Sequence, residues 1–274
     1  MTAPIGMTIL ATVTAISVAG VPDAIKPDTL RAFERYVRLT EDRIQSEVAG
    51  PSPLLWIDRQ PAQIKATLMT SLQRGDVVSA RLETQDRGKS IDASGGLIHH
   101  WIGTVFLPGV GLARARSVLQ SYDHYSEYFA PLIRRSQVSS RTGDHFLVAM
   151  RTEMHKILTV TVDADYAIDY LPIGAAALYV RSLATNIHIV DGAGTASERR
   201  TPADQTFGFL WRLNTYCTFR ETPGGTLEQC ESISLTRDVP FGMGPIIRPL
   251  ISGIPRETLE FTLGQVRKLV TRAN

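Results

Sequence analysis

From residue 97 to residue 236 strand-like runs dominate the sequence, punctuated by turn signals. A first run, 97–107 (LIHHWIGTVFL), ends at Pro108-Gly109, and a helical stretch, 112–128, follows it before Pro131. Further runs at 146–154, 158–168, 177–189, 207–220 and 227–236 are rich in Val, Ile, Thr, Tyr and Phe. Thr142-Gly143-Asp144, Pro172-Ile173-Gly174, Asp191-Gly192-Ala193-Gly194 and Pro223-Gly224-Gly225 punctuate them. A last helix at 255–272 carries Leu259, Leu263, Val266 and Val270 on one side. Strands in series, bracketed by helices, do not form βαβ units. The expected class is α+β, with an antiparallel sheet closed by a C-terminal helix.

Upstream, apolar residues at Leu30, Phe33, Val37, Ile44 and Val48 predict a helix over 27–48, started by Pro27-Asp28 and stopped by Gly50-Pro51. Ile64, Leu68 and Leu72 predict a second over 60–74 with Gly75 as its end, and 77–82 reads as a strand. Residues 25–85 therefore read as an N-terminal helical extension, too poor in apolar surface to fold alone. The polar, Gly-containing stretch 83–96 is the expected boundary, leaving 90–274 as the main ligand-binding domain. Residues 7–19 (MTILATVTAISVA) resemble a secretory h-region, giving a signal peptide over 1–20 and a periplasmic or secreted protein. Met1 to Gly6 carry no Lys or Arg, so a β-rich first strand in a cytoplasmic protein is the alternative.

Charge points away from polyanions. The net charge is +2, which gives no electrostatic case for nucleic acid or for an anionic membrane. No apolar stretch reaches the roughly 18 residues a bilayer span needs, so membrane contact is expected only transiently.

Two stretches carry a resemblance. Ser117-Val118-Leu119-Gln120-Ser121-Tyr122-Asp123-His124-Tyr125, then Tyr128-Phe129-Ala130-Pro131 and Ser136-Gln137-Val138, are similar to the first helices and second strand of START-like proteins. That superfamily includes polyketide cyclase and coenzyme-Q-binding relatives. Near the end, Gly224-Gly225, Glu231, Leu235-Thr236-Arg237-Asp238-Val239-Pro240 and the long last helix fit the same pattern. The likeness spans about 96–274. It implies a helix-grip fold, a curved antiparallel sheet wrapped around the C-terminal helix with an apolar cavity between them.

Catalytic signatures are sparse. Val105 to Arg114 looks like a strand, a Gly-rich turn and a helix, but Arg114 stands where a dinucleotide fingerprint needs its third glycine, and no βαβ unit follows. His99 and His100 are neighbours on a strand and face opposite sides, so they do not chelate one metal. Two cysteines alone make no zinc site, and there is no nucleophile elbow. No metal and no cofactor are expected.

The last hairpin gives the sharpest candidates. A symmetric turn at Pro223-Gly224 pairs Tyr216 with Glu231, Asn214 with Ile233, Phe219 with Glu228 and Cys217 with Cys230. Cys217 and Cys230 would then be within disulfide reach. Alternation gives one face with Trp211, Leu213, Cys217 and Phe219, and another with Arg212, Asn214, Tyr216, Glu231, Ile233 and Leu235. The sequence leaves open which face looks into the cavity. Arg151 and Arg181 interrupt apolar runs and serve either an anionic ligand or an outward face. Small residues around Ala175-Ala176-Ala177-Leu178-Tyr179 suit a cavity wall, and Phe241-Gly242-Met243-Gly244 suits a lid or a plain linker.

The candidate ligand-binding set is therefore Trp101, Arg151, Tyr179, Trp211, Leu213, Asn214, Tyr216, Phe219, Glu231 and Phe241. The leading expectation is a binding or transport protein for a hydrophobic small molecule such as a lipid, isoprenoid or polyketide. An enzyme on the same scaffold, of cyclase or hydrolase type and using Tyr216, Glu231 or Arg151, is the second reading. A structural protein whose cavity is filled by its own side chains is the third.

Overall fold

The computed structural model of the chain describes residues 24–50, 54–155, 159–205, 210–238 and 244–272, with only the backbone over 244–252. The signal-like segment and Phe241 lie outside the described residues.

Helix α1 (Pro27–Ala49) starts on a proline, whose missing N–H would be unpaired there in any case. Its buried stripe is Thr29, Phe33, Tyr36, Thr40 and Ile44, while Leu30, Val37 and Val48 are half-buried. The stripe is rotated from the one the apolar spacing predicts because Tyr36 and Thr40 find hydrogen-bond partners and so can be buried. A 3-10 turn (Trp56–Arg59) and helix α2 (Ala62–Arg74) follow. Gly75 caps α2 at φ +99°, a left-handed conformation that glycine adopts without penalty. Only Leu72 of the expected α2 stripe is fully buried, and Ile64 is 48% exposed.

Strand β1 (Val78–Arg81) precedes a small separate hairpin of β2 (Gln85–Asp86) and β3 (Lys89–Ser90). Next comes β4 (Gly96–Pro108), hydrogen-bonded to β1. The boundary expected at 83–96 thus falls between two paired strands of one sheet, and the extension is built into the main domain. The stretch 112–128 is broken into α3 (Leu112–Leu119), a 3-10 turn (Tyr122–His124) and α4 (Tyr125–Tyr128). The Tyr125 hydroxyl donates to the Leu119 carbonyl at 2.6 Å, satisfying an acceptor at the broken end.

The remaining strands are β5 (Ile133–Thr142), β6 (His145–His155), β7 (Thr159–Ile173), β8 (Ala177–Asp191), β9 (Arg199–Pro202), β10 (Leu210–Thr222) and β11 (Gly225–Arg237). Helix α5 (Gly244–Thr271) closes the fold. All sheet pairs are antiparallel, in the order β1-β4-β11-β10-β8-β7-β6-β5, with β9 beside β8. Strand β5 carries little apolar alternation because it is an edge strand with most side chains exposed.

Both faces of the sheet are covered. On the inner face, Leu259, Leu263, Val266 and Val270 of α5 are buried with Val105, Leu107, Phe219, Leu178 and Phe146, and with Tyr122, Tyr125 and Phe129 of the helical segment. On the outer face, Phe33, Tyr36 and Ile44 of α1 pack with Tyr179, Tyr216, Ile233 and Leu235. Leu55, Ile57 and Leu72 cover Leu227 beside them. The sheet is sandwiched between α5 and the N-terminal helices.

Gly103 sets how close α5 comes. A Cβ there would lie 2.7 Å from Leu263 Cδ1 and 3.3 Å from the Leu259 side chain. Gly103→Val is expected to cost about 1–3 kcal/mol through overpacking, measured as a lower denaturation midpoint at unchanged slope. A midpoint equal to wild type would show that α5 has room to move away.

Candidate functional site

The register fixes which side chains share the inner face. Trp101 is opposite Ser232, Ser232 opposite Thr215, and Thr215 opposite Ser182, a row across four adjacent strands. Every member of that row is half-buried, although it lies on the α5 side of the sheet. Leu213, Ala184, Tyr166 and Met150 on the same face are half-buried as well. Two rows further along the same face the sheet is filled: Val105, Phe219 and Leu178 are at most 2% exposed. Behind the open row, Ser234 Oγ is buried with no hydrogen-bond partner among the described residues, while His99 Nε2 pairs with Thr236 Oγ1 at 2.8 Å. Burial, helped by the Arg81 charge, pushes the His99 imidazole down to about 4, so it is neutral near pH 7.

A groove of about 650 Å³ opens at the other end of the sheet, between α3 and the β7–β8 turn. Its apolar wall is Leu112, Ala113, Pro172, Ala175, Ala177 and Leu178, and Arg116, Gln120 and Arg141 lie on its polar side. Arg116 is paired with Asp144, Arg141 stacks over Phe146, and the Gln120 side-chain nitrogen is buried without a partner among the described residues. The groove meets the inner face at Leu178. The small residues Ala175 and Ala177 line this groove, which lies between α3 and the β7–β8 turn and not between the sheet and α5.

The register also sorts the sequence candidates. Trp101, Leu213 and Phe219 are on the inner face; Arg256 of α5 lies 5.9 Å over the Trp101 ring, and Phe219 is buried in the core. Trp211 sits in a bulge between Leu210 and Arg212, buried with Ile233 and Leu235 instead of with Phe219. Asn214, Tyr216, Tyr179, Glu231 and Arg151 are on the outer face, away from α5, and do not line a cavity between sheet and α5. Arg151 makes a double hydrogen bond to Asp163 at 2.7 and 2.9 Å and a further pair with Glu198. Arg181 and the Tyr216 hydroxyl both bond Glu41 of α1.

Glu231 is the centre of a buried polar chain on that outer face. Its Oε1 lies 2.6 Å from His100 Nε2 and also receives Arg43 of α1. His100 Nδ1 is 2.8 Å from the Tyr36 hydroxyl, which accepts the Thr84 backbone N–H at 2.8 Å. Burial would push the Glu231 carboxyl up, but the His100 hydrogen bond and the His100 and Arg43 charges together hold it below the usual carboxylate range. A carboxylate only accepts, so His100 Nε2 donates in this contact. The chain ties α1 to the sheet and is committed to that task.

On the inner face the hairpin register puts Cys217 opposite Cys230, with their Cα atoms 4.0 Å apart and the sulfurs joined as a disulfide. Glu228 lies two residues along on the same face, 2% exposed, and burial pushes its carboxyl up to about 8. The symmetric hairpin pairs Glu228 with Phe219, and Glu228 is not among the candidate ligand-binding residues. The signal was there: a carboxylate sharing a strand face with two cysteines.

These observations decide the architecture: a curved antiparallel sheet holds a long C-terminal helix along its inner face. The chain has the helix-grip arrangement. No protein-family model and no curated protein matches it. Among solved structures it is similar to a STAR-related lipid transfer protein from Xanthomonas axonopodis, at 14% identity and TM-score 0.43, over 70% of this chain and 98% of that one. A START superfamily protein from Mycobacterium smegmatis aligns at 12% identity and TM-score 0.45, over 64% and 99%. An aromatase/cyclase from Streptomyces sp. R1128 aligns at 11% and 0.44, over 64% and 95%. At these values the likeness is one of strand and helix order, and what those proteins bind or make is said of them alone.

Proposed function

We propose that this protein binds a largely apolar small molecule against the inner face of its sheet, beside α5. The observation that carries the reading is the half-buried row Trp101, Ser232, Thr215 and Ser182, with Leu213 and Ala184 beside it, on a face whose far end is filled by Val105, Phe219 and Leu178. Aromatic and aliphatic groups with a few hydroxyls supply what a lipid-like ligand needs: desolvation along most of its length and a small number of orienting hydrogen bonds. The unpartnered Ser234 hydroxyl is one such donor. Tyr216, Glu231 and Arg151, the groups an enzymatic reading would use, are engaged on the opposite face, so no specific observation favours proton-transfer chemistry.

The test is uptake of the apolar fluorophore N-phenyl-1-naphthylamine, together with native mass spectrometry of mildly purified protein. Wild type is expected to enhance the fluorescence saturably at one probe per chain, and Thr215→Trp, which fills the row, to reduce the affinity at least tenfold while the circular dichroism spectrum is kept. Leu147→Trp, on an exposed site, is the control. Equal uptake by Thr215→Trp and wild type would overturn the reading, as would no uptake together with no co-purifying mass.

A further inference from the structure

Cys217 Sγ, Cys230 Sγ and a Glu228 carboxylate oxygen lie within 4.8 Å of one another. Three strand positions place them there: Cys217 and Cys230 are opposed on β10 and β11, and Glu228 is the next residue on the same face of β11. The sulfurs are bonded to each other, so neither carries a proton to donate. Glu228 Oε1 lies 3.7 Å from Cys230 Sγ, and Glu228 Oε2 has no partner among the described residues although the residue is only 2% exposed. A buried carboxyl without a partner is costly, and a structural staple between β10 and β11 has no need of one. With the disulfide formed, Glu228 Oε2 is left without a hydrogen-bond partner among the described residues.

The geometry points to a redox-gated metal site: with the disulfide reduced, Cys217, Cys230 and Glu228 bind one thiophilic divalent cation of the zinc type. Reduction takes two electrons and two protons from a dithiol, which leaves as its own cyclic disulfide, and gives two thiols. Binding of M²⁺ then releases both thiol protons and the carboxyl proton, leaving two thiolates and one carboxylate around the ion. The donor types suit zinc, since thiolates and a carboxylate are among its usual ligands. The Cys230–Glu228 separation of 3.7 Å is already close to the roughly 3.5 Å between S and O ligands of a tetrahedral zinc ion. Only the sulfurs must part, by rotation about their Cα–Cβ bonds. Cys217 is half-buried toward the inner face and gives access, whereas Cys230 and Glu228 are enclosed. The disulfide and the metal-bound dithiolate are then alternative closed states of one site.

The experiment uses the full chain, reduced with a phosphine and titrated with cobalt(II) under argon. The expected result is one cobalt per chain with an intense near-ultraviolet sulfur-to-cobalt charge-transfer band, removed by stoichiometric zinc. The oxidised chain and reduced Cys217→Ser should lack that band, and Glu228→Gln should keep a thiolate band at least tenfold weaker in affinity. Circular dichroism of each sample reports whether the fold is kept. The proposal is overturned by no charge-transfer band in the reduced wild type, including through unfolding, by equal cobalt binding in the oxidised chain, or by unchanged affinity in folded Glu228→Gln. Fluorophore uptake plays no part in this test, so it stands or falls separately from the ligand-binding reading.

Discussion

A chain beginning at Gly95 is expected to give insoluble protein, or a soluble fraction without a cooperative thermal transition. The truncation removes β1, which pairs with β4 from Val78–Thr104 to Arg81–Trp101, and so turns β4 into an open edge. It also uncovers the outer face, where Tyr216, Leu227, Ile233 and Leu235 are each at most 2% exposed in the full chain. A contiguous apolar surface beside an unpaired strand is an aggregation site. Refolding followed by gel filtration and a thermal melt measures the outcome. A monodisperse monomer melting within a few degrees of the full chain would show the N-terminal helices to be an accessory layer.

Glu231→Ala is expected to be the most damaging single substitution, at about 3–5 kcal/mol, because it leaves His100 buried without its acceptor and Arg43 without its inner partner. For a chain of this length that corresponds to a melting temperature lower by on the order of 10 °C. Arg43→Met should cost less, since Arg43 is partly exposed and Glu47 keeps its own partner in Arg59. The pH dependence follows from the direction of the shift. A carboxyl held below its ordinary value contributes stability that is present above about pH 4.3 and lost as the pH falls through the lower folded value. The difference between wild type and Glu231→Gln should therefore be full at pH 7 and shrink below about pH 4. Burial opposes ionisation of Asp163 as well, but its hydrogen bonds to Arg151 and the charges of Arg151, Arg200 and Arg135 hold it low. The wild type should thus lose stability in the same acid window. Equal pH profiles for wild type and Glu231→Gln would remove Glu231 from the acid transition.

Much of the fold was legible because it rests on local chemistry. Pro27 and Gly50 bracket α1, and Gly75 ends α2. The apolar spacing of Leu259, Leu263, Val266 and Val270 gives the buried side of α5. Turn residues at Pro223-Gly224 give the β10–β11 register, including Tyr216–Glu231 and Cys217–Cys230, until the bulge beyond Arg212 shifts it. The bulge takes Trp211 out of the regular pairing, and no local signal marks it. Apolar alternation does not mark strand β5, which only the resemblance at Ser136-Gln137-Val138 touches, because it is an edge strand; the break at Gln120-Ser121 has no local signal because a tyrosine hydroxyl from the following turn satisfies it.

The candidate site was less legible, and the cause is physical. Alternation along a strand divides side chains into two sets with certainty, but names neither as inner or outer. That choice is made by which helix has the better complementary surface, and both α1 and α5 offered one. Burial of α1 turned Glu231, Tyr216 and Tyr179 from candidate ligand contacts into an anchoring layer, through Arg43 and Glu41, contacts that span 188 and 175 residues of chain. The same decision left the serine and threonine row beside Trp101 on the inner face, and set Glu228 next to the cysteine pair. Sequence alone therefore determined the main elements, their order and the last hairpin's pairing, since these depend on residues a few positions apart. The tertiary structure decided which face each strand turns to which helix, because burial is a property of surfaces brought together from distant parts of the chain.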